Sequence, residues 1–410
     1  MSDQENLDTF LSGNMTDQND SWEKHSIQEV CEVNPDSVNS EGFQYDDMIY
    51  LTISNVGRGY ISDTDHHLVS DAPSRAKRWV DEGDTVISTV RPGREQYTYI
   101  ENPPENLVAS TGFVVLRPKN SDKLLPRYLY YATTTPDFVK YMVVNATGSA
   151  YPSTNLSEIR EGEIPIPPIQ IQQQIVEILM PLGEKMSLNT QLMEKCEELA
   201  ETIFGNGMKN AWDTNENVEF KDICDMSSGG PRKSTDDYIG EEHLWLTPSD
   251  VTESGRTVVY QTERRLNDRA LQETNVDLMP ENTIFLSSRA TIGEVVINRT
   301  PMAMNQGFIA LQPKRHIPPH FLLNLVRSKK AEISALASGS TYPEISQRAF
   351  GSIETQLPTQ EQMDEYERTV EPLYDQVYSL QSENQSLNKL YDELHPRLIS
   401  GEVIPRNTCQ

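Results

Sequence analysis

The sequence predicts an α+β protein in which two β-rich globular domains alternate with two long antiparallel coiled-coil helices as an internal pseudo-twofold repeat. Three observations support this prediction. Sequence segments recur at a nearly constant offset, short β-rich runs fill the two repeated regions, and each region is followed by a segment with heptad spacing. The repeat is far longer than the 20–50 residues of a solenoid or propeller unit.

The repeat is visible in four pairs of segments that occur in the same order. Their offsets are 191 (339 − 148), 195 (307 − 112), 198 (284 − 86) and 193 (220 − 27), so they differ only by loop-sized amounts. The pairs are Gly148–Pro152 with Gly339–Pro343, Gly112–Lys119 with Gly307–Lys314, Val86–Arg91 with Ile284–Arg289, and Ile27–Glu32 with Phe220–Asp225. This pattern predicts two copies of one domain, joined head to tail. It also suggests a ligand or partner that itself has two parts.

The domain boundaries follow from changes in composition and periodicity. Residues 1–21 are polar and acidic and are predicted to be disordered. Residues 22–166 and 213–357 alternate short β-rich runs with Gly, Pro, Asn and Asp, which is typical of a β-rich domain. Residues 167–212 and 358–404 are predicted to contain the two long helices, with a kink or restart at Pro181 and Pro372.

Apolar residues on both helical segments follow the 4-3 spacing of a coiled-coil seam. The seam positions are Ile175, Leu179, Leu182, Met186, Asn189, Met193, Cys196, Ala200 and Ile203 in the first segment, and Val370, Leu373, Val377, Leu380, Asn384, Leu387, Tyr391, Leu394 and Leu398 in the second. Each seam therefore contains one asparagine, Asn189 or Asn384. If the helices run antiparallel with both asparagines in one layer, facing residue numbers sum to 573 and every seam position meets another. A buried asparagine pair would then fix the register. The alternative is that one asparagine lies exposed at the edge of the seam.

Composition excludes several classes of protein. No apolar run is long enough to span a membrane, and the four cysteines have no metal-ligand or disulfide spacing, so a reducing cytoplasm is expected. The chain has 35 basic and 62 acidic residues, a net charge of −27. Acidity spread along the chain indicates adaptation to molar salt, where the Debye length is about 3 Å, with a basic partner as the alternative.

No segment has the pattern of an active site, and no metal site is predicted. Asn102-Pro103-Pro104 is followed by Glu105 rather than by an aromatic residue that could stack on an extruded base. The segment Gly229–Ser234 lacks phosphate-loop spacing, and His66-His67 has no ligand partner at a useful distance. The sequence therefore predicts a protein that binds rather than catalyses.

Basic and polar residues in the loops are the candidates for DNA contact, because Arg suits guanine and Lys suits phosphate. Arg91 and Arg289 are interpreted as copies of each other, each just after a β-rich run. For each arginine, pairing with a nearby carboxylate is the alternative, and the Gly-Ser-x-Tyr-Pro copies could instead be turn-forming core elements. The candidates are Arg58, Arg75, Lys77, Arg78, Arg91, Arg94, Ser149 and Tyr151 in the first domain, and Arg232, Lys233, Arg256, Arg289, Arg299, Thr341 and Tyr342 in the second.

The chain resembles the specificity subunit of type I restriction–modification enzymes over residues 22–404. Gly339–Pro343 with Ile345-Ser346 resembles the segment that ends the family's target-recognition domain. Ile164–Val176 resembles the start of its conserved helix, and Leu394–Val403 resembles its usual ending. The acidity of the chain leads us to expect an origin in a halophilic archaeon.

The resemblance implies a non-catalytic subunit whose two target-recognition domains each bind one half of a split double-stranded DNA target. Two methyltransferase subunits with S-adenosylmethionine would methylate adenine N6, and ATP-dependent translocase–nuclease subunits with Mg²⁺ would cleave unmodified DNA. No cofactor is expected in this chain itself. The alternative is a duplicated-domain coiled-coil scaffold that binds proteins without DNA specificity.

Overall fold

The computed structural model describes residues 15–17, 22–149, 151–212, 216–230, 236–252, 257–289, 291–337 and 343–405. The chain divides into two compact units. The first unit contains the residues up to Leu188 and those from Glu383 onward, and the second unit is Asn189–Ser382. The division falls inside both long helices, so each unit combines one β-rich domain with half of each helix.

The two long helices are Ile169–Asn206 and Gln360–Ser400, called the first and second long helix below. A short π-helical segment, Gly207–Ala211, follows the first directly. Each unit pairs the N-terminal half of one long helix with the C-terminal half of the other, which is the predicted antiparallel arrangement. The helices are continuous through Pro181 and Pro372, so neither restarts there.

The predicted seam is buried or half-buried at every position. Ile175, Leu179, Leu394 and Leu398 lie in the core of the first unit. Cys196, Ala200, Val370 and Val377 lie in the core of the second unit. The heptad pattern therefore identifies the helix faces that pack against each domain.

The described residues of the first unit form four further helices and a series of short strands. Its helices are Ile27–Val30, Pro126–Thr133, Pro136–Val144 and Leu156–Glu161, and its 3₁₀ turns are Ile53–Asn55, Val69–Asp71 and Pro92–Arg94. Its strands are Met15–Asp17, Lys24–Ser26, Cys31–Val33, Asp36–Ser37, Asp47–Leu51, Asp65–Leu68, Ala76–Trp79, Thr85–Ser88, Tyr97–Tyr99, Leu107–Ser110, Phe113–Pro118, Ala146–Thr147, Ser153–Thr154, Glu163–Pro165 and Val403–Pro405.

The second unit is also built from short helices and short strands. Its helices are Phe220–Ile223, Pro248–Thr252, Asp268–Glu273, Pro319–Ser328, Lys330–Leu336 and Gln347–Gly351, with a 3₁₀ turn at Asp236–Tyr238. Its strands are Glu216–Glu219, Cys224–Ser228, Ile239–Leu246, Val258–Val259, Arg265–Leu266, Ile284–Ser287, Val295–Asn298, Ala303–Met304, Phe308–Pro313 and Glu354–Leu357.

The sheets confirm the internal repeat, because corresponding strands pair in the same order. The central antiparallel sheet of the first unit has the order Cys31–Val33, Phe113–Pro118, Thr85–Ser88, Tyr97–Tyr99. The second unit has the order Cys224–Ser228, Phe308–Pro313, Ile284–Ser287, Val295–Asn298, followed by Val258–Val259. The predicted α+β class and its duplication are therefore confirmed.

The N-terminal segment contains a short strand within the region predicted to be disordered. Met15–Asp17 pairs antiparallel with Val403–Pro405. These three residues depart from the disorder predicted for residues 1–21 because their backbone groups have hydrogen-bond partners in the C-terminal strand. The remainder of 1–21 lies outside the described residues.

Candidate nucleic-acid interface

The candidate interface lies where two neighbouring segments meet at one end of each central sheet. Thr89 directly follows strand Thr85–Ser88, and its backbone N–H and hydroxyl donate to the carbonyl of Gly112 at 2.9 and 3.0 Å. In the second unit the N–H and hydroxyl of Ser288 donate to the carbonyl of Gly307 at 2.7 and 3.0 Å. The same local construction therefore appears in both units.

A third segment, directly after each Gly-Ser-x-Tyr-Pro copy, joins this end of the sheet. Val90 forms an antiparallel bridge with Ser153, and Arg289 forms one with Glu344. The residue that follows each motif copy, Ser153 or Glu344, therefore meets the same strand end in each unit, where three segments converge.

The strand register corrects the equivalence of Arg91 and Arg289. Ser88 faces Phe113 and Ser287 faces Phe308, so Ser287 corresponds to Ser88 at an offset of 199 (287 − 88) rather than 198. Arg289 therefore occupies the position of Val90, and Arg91 lies one residue further on. Two hydrophobic runs can be aligned with a one-residue slip, but that slip changes which face a side chain occupies.

Arg91 begins a turn in the first unit and stacks on an aromatic ring. Its backbone is left-handed, with φ 49°, which costs a non-glycine residue roughly 1–3 kcal/mol. Its N–H donates to the carbonyl of Pro152 at 2.7 Å, and its guanidinium lies 4.5 Å from the centre of the Tyr151 ring, which is 71% exposed. Arg94 and Ser149, which are close in sequence to Arg91 and Tyr151, are both exposed.

A second basic group of the first unit lies next to the same loop. The N–H of Thr111 donates to the carbonyl of Arg75 at 2.8 Å, immediately before Gly112. Lys77 and Arg78 follow on strand Ala76–Trp79. No carboxylate of the described residues forms an ion pair with these three cations. Burial lowers the pKa of Arg78, and its buried Nε has no hydrogen-bond partner within the described part of the chain.

Arg58 faces the second long helix and forms ion pairs with one carboxylate of that helix and with one of its own domain. Its Nη2 lies 2.6 Å from Oδ1 of Asp392, and its Nε lies 3.0 Å from Glu95. Burial lowers the pKa of this guanidinium, but Tyr97 and Asp392 more than offset that effect and raise it. These contacts join Arg58 to the second long helix, and its predicted contact with DNA stays a prediction.

Arg299 has the same role in the second unit. It pairs with Asp375 of the second long helix and lies 3.9 Å from Glu281, and its side chain is only 12% exposed. The sequence missed both anchors because Asp392 and Asp375 are far from these arginines along the chain.

Arg289 lies in a cleft of about 300 Å³ at the end of the second unit's sheet. Its Nη2 is 2.9 Å from Oε1 of Glu344, and both side chains are roughly half exposed. The cleft is lined by Ser228, Gly229, Ser288, Arg289, Gln306, Phe308, Ile309, Glu344, Ile345 and Gln347. The sequence did not point to Glu344 or Gln306, although Glu344 directly follows the repeated motif where the first copy has Ser153.

Five candidate residues lie outside the described residues: Arg232, Lys233, Arg256, Thr341 and Tyr342. Their role in DNA contact stays a prediction.

The two seam asparagines are both buried, at 2% exposure for Asn189 and 6% for Asn384. The Asn384 amide donates to the backbone carbonyl of Met186 at 3.1 Å. Neither asparagine is exposed at the edge, and their direct pairing stays a prediction.

Other kinds of site have little support in the described part of the chain. Within it, no group of three or more His, Cys, Asp or Glu side chains could hold a metal ion, and no helix is long and apolar enough to cross a membrane. Burial raises the pKa of the Cys31 and Cys224 thiols to about 12, so these corresponding cysteines are unreactive core residues.

Comparison with known proteins gives a consistent family. The model of the type I restriction modification DNA specificity domain matches twice, over residues 19–198 and 213–389. The chain is 22% identical to the type I restriction enzyme HindI specificity subunit of Haemophilus influenzae, over 88% of this chain and 95% of that protein. It is 28% identical to the MjaIX specificity subunit of Methanocaldococcus jannaschii, over 48% of this chain and 45% of that protein.

A solved structure supports the fold. The type I restriction–modification system S subunit from M. genitalium has a TM-score of 0.59 and 15% identity, over 93% of this chain and 97% of that one. The two family matches coincide with the two copies of the repeat, and the family consists of specificity subunits rather than catalytic ones. The chain belongs to the type I restriction–modification DNA specificity family.

Proposed function

We propose that the chain reads a bipartite DNA target, with each unit contacting one half-site. The observation that carries this proposal is the repeated strand end, where the same three segments converge in both units but present different side chains. The same backbone arrangement with different side chains is suited to binding two unlike half-sites. A rigid connection between the two units would set the spacing of these half-sites.

The first half-site is assigned to Arg91, Arg94, Ser149 and Tyr151, together with Arg75, Lys77 and Arg78. The second is assigned to Arg289, with Arg232, Lys233, Arg256, Thr341 and Tyr342 as further candidates. Exposed arginine and lysine side chains would contact base edges and phosphates. Arg58 and Arg299 are assigned instead to holding each domain on the second long helix.

The proposal extends to partners that carry the chemistry. Two methyltransferase subunits would bind S-adenosylmethionine and transfer its methyl group to adenine N6 in each half-site, after extruding the base. ATP-dependent translocase–nuclease subunits with Mg²⁺ would cleave DNA that lacks this methylation. The assembly would act in the cytoplasm, where its DNA substrate is located.

Mapping of methyladenine in genomic DNA tests this function. Host strains with and without this chain, each retaining the methyltransferase subunit, would be compared by long-read sequencing. We expect one split motif to be methylated only when the chain is present. An unchanged methylation pattern would contradict the proposal and favour a protein-binding scaffold. No observation on the described residues specifically supports such a scaffold.

A further inference from the structure

The bridge at the end of the sheet differs chemically between the two units. In the first unit it joins Val90 to Ser153, and in the second it joins Arg289 to Glu344. Since the strand register makes these positions equivalent, the same place in the fold has an apolar and a hydroxyl side chain in one copy and an ion pair in the other.

The Arg289–Glu344 pair is positioned to bind a further group. Nη2 of the Arg289 guanidinium lies 2.9 Å from Oε1 of Glu344, and the two side chains are 47% and 43% exposed. A guanidinium has five N–H donors and a carboxylate has two acceptor oxygens. The pair therefore offers adjacent donors and acceptors whose relative position is fixed by the bridge between their backbones.

A hydrogen-bonded wall of the cleft supports this pair. The Gln347 amide donates to the carbonyl of Met226 at 2.7 Å and accepts from the hydroxyl of Ser228 at 3.2 Å. Strand Cys224–Ser228 stays paired with its neighbour as far as Ser228.

The corresponding strand in the first unit stops earlier. Pairing of Cys31–Val33 ends at Val33, and Asn34 then turns the chain with φ 55°. The wall beside the ion pair is therefore a feature of the second unit. In the first unit, strand Cys31–Val33 is too short to form the same wall.

The chemistry of the pair matches the major-groove edge of one G·C base pair. Arginine donates two hydrogen bonds to guanine O6 and N7, and glutamate accepts from the N4 amino group of cytosine. We propose that Arg289 and Glu344 together read a G·C pair in the half-site of the second unit, with Arg289 on guanine and Glu344 on cytosine. This inference rests on the proposed function and names the base pair that it requires at one position.

The inference can be tested with substitutions that change the shape of the Arg289 side chain while keeping its charge, or that remove the charge of Arg289 or Glu344. The wild-type chain and the Arg289→Lys, Arg289→Gln and Glu344→Gln variants would be assembled with the methyltransferase subunit. The wild-type motif is first mapped on genomic DNA that lacks adenine methylation. Methylation rates are then measured on duplexes that carry the motif and on all single base-pair changes in both half-sites.

We expect each variant to lose preference for G·C at the same single position of the second half-site, by about 5- to 150-fold. Arg289→Lys keeps the charge but loses the planar fork, so it should lose this preference as Arg289→Gln does. Preferences in the first half-site should not change. Arg269→Gln and Glu273→Gln are matched controls, because they break another exposed Arg–Glu pair of the same unit that does not line the cleft.

Three results would overturn the inference: a second half-site without G·C at any position, an effect in the first half-site, or wild-type base preference in Arg289→Lys with a uniform loss in Arg289→Gln. The last result would identify Arg289 as a phosphate contact. In all three cases the wild-type chain would still determine a split motif, so the proposed function would stand. A methylation pattern independent of the chain would instead reject the proposed function itself.

Discussion

The arginines of this chain fall into two groups that differ in where their contact partners lie. Arg58 and Arg299 meet Asp392 and Asp375 of the second long helix and hold a domain against it. Arg91 stacks on the exposed ring of Tyr151, and Arg289 pairs with Glu344 at the rim of a cleft. Exposed arginines at strand ends are therefore the stronger candidates for DNA contact.

Arg91→Ala and Arg289→Ala should weaken recognition of different half-sites. A good bidentate contact to a base contributes about 1–3 kcal/mol of discrimination, so each loss should be confined to one half. Binding or methylation measured on duplexes mutated in one half at a time checks this. Equal loss on both halves, or no loss, would contradict the assignment of one half-site to each unit.

His395 should make the stability of the first unit depend on pH. Its Nε2 donates to the carbonyl of Tyr131 at 2.8 Å, and burial is the main cause that lowers the pKa of this imidazole to about 4, from 6.5 for an ordinary histidine. Between pH 6.5 and 4 the unfolded chain binds a proton that the folded chain excludes. The contribution of His395 is therefore fully present above pH 6.5 and is lost as the pH falls through this window.

The size of this effect follows from linkage. It amounts to at most about 3 kcal/mol across the window, or about 1.4 kcal/mol per pH unit. Urea unfolding of the wild-type chain and of His395→Gln, at several pH values from 4 to 7, isolates the contribution of this histidine. Parallel stability–pH curves for the two proteins would contradict the prediction.

Strand register explains why residue-level prediction from the sequence was incomplete. The β-rich runs Val86–Arg91 and Ile284–Arg289 align well by hydrophobicity at an offset of 198, whereas the strand pairing requires 199. Hydrophobicity in a strand buried on both faces does not mark which face a residue occupies. The arginines were found by type and location, but their equivalence could be decided only by the hydrogen-bonded partners.

At the scale of secondary structure, the helix Pro319–Ser328 is capped by a side chain from another helix. Its N-terminal residue is preceded by Pro318, which offers no capping side chain. Glu367 of the second long helix accepts from the N–H groups of His320 and Phe321 at 3.2 Å, and from the His320 ring at 2.8 Å. A carboxylate there satisfies orphan amides and complements the helix dipole.

Glu367→Ala should destabilise the second unit by about 2 kcal/mol, because it leaves buried amide donors without an acceptor. Hydrogen exchange measured by mass spectrometry should show faster exchange of the His320 and Phe321 amides. Glu365→Ala, an exposed glutamate on the same helix, is the matched control. Unchanged protection of these amides in Glu367→Ala would show that the cap is unimportant.

The helix seam was predicted well, because heptad spacing depends on local sequence alone. All predicted seam positions are buried or half-buried, and both asparagines are among the buried ones. The anchoring pairs and the Glu367 cap could not be predicted in this way, since they join residues that are distant in sequence.

The predicted register of the seam can be tested by crosslinking. If the facing residue numbers sum to 573, Met186→Cys with Leu387→Cys should form a disulfide under mild oxidation, since the two Cβ atoms would be neighbours. Met186→Cys with Leu380→Cys, one heptad away, is the control. Preferential crosslinking of the control pair would reject the asparagine layer as the feature that fixes the register.

At the scale of the whole molecule, duplication accounts for the main properties of the chain. The same strand order appears twice, and the family model matches twice over the same two regions. Each copy keeps the framework and changes the side chains at its strand end, which is suited to recognising two different sequences. Adaptation to concentrated salt stays a prediction from the net charge of −27. In such salt, phosphate contacts would weaken and base contacts would carry a larger share of the affinity for DNA.

The central claim is that each unit reads its own half-site, and a hybrid chain tests it most directly. Residues 213–357 would be replaced by a second copy of residues 22–166, and the hybrid would be expressed with the methyltransferase subunit in a host that lacks adenine methylation. The account predicts methylation of a split motif in which the wild-type first half-site occurs twice as an inverted repeat. Retention of the wild-type second half-site by an active hybrid would contradict the account.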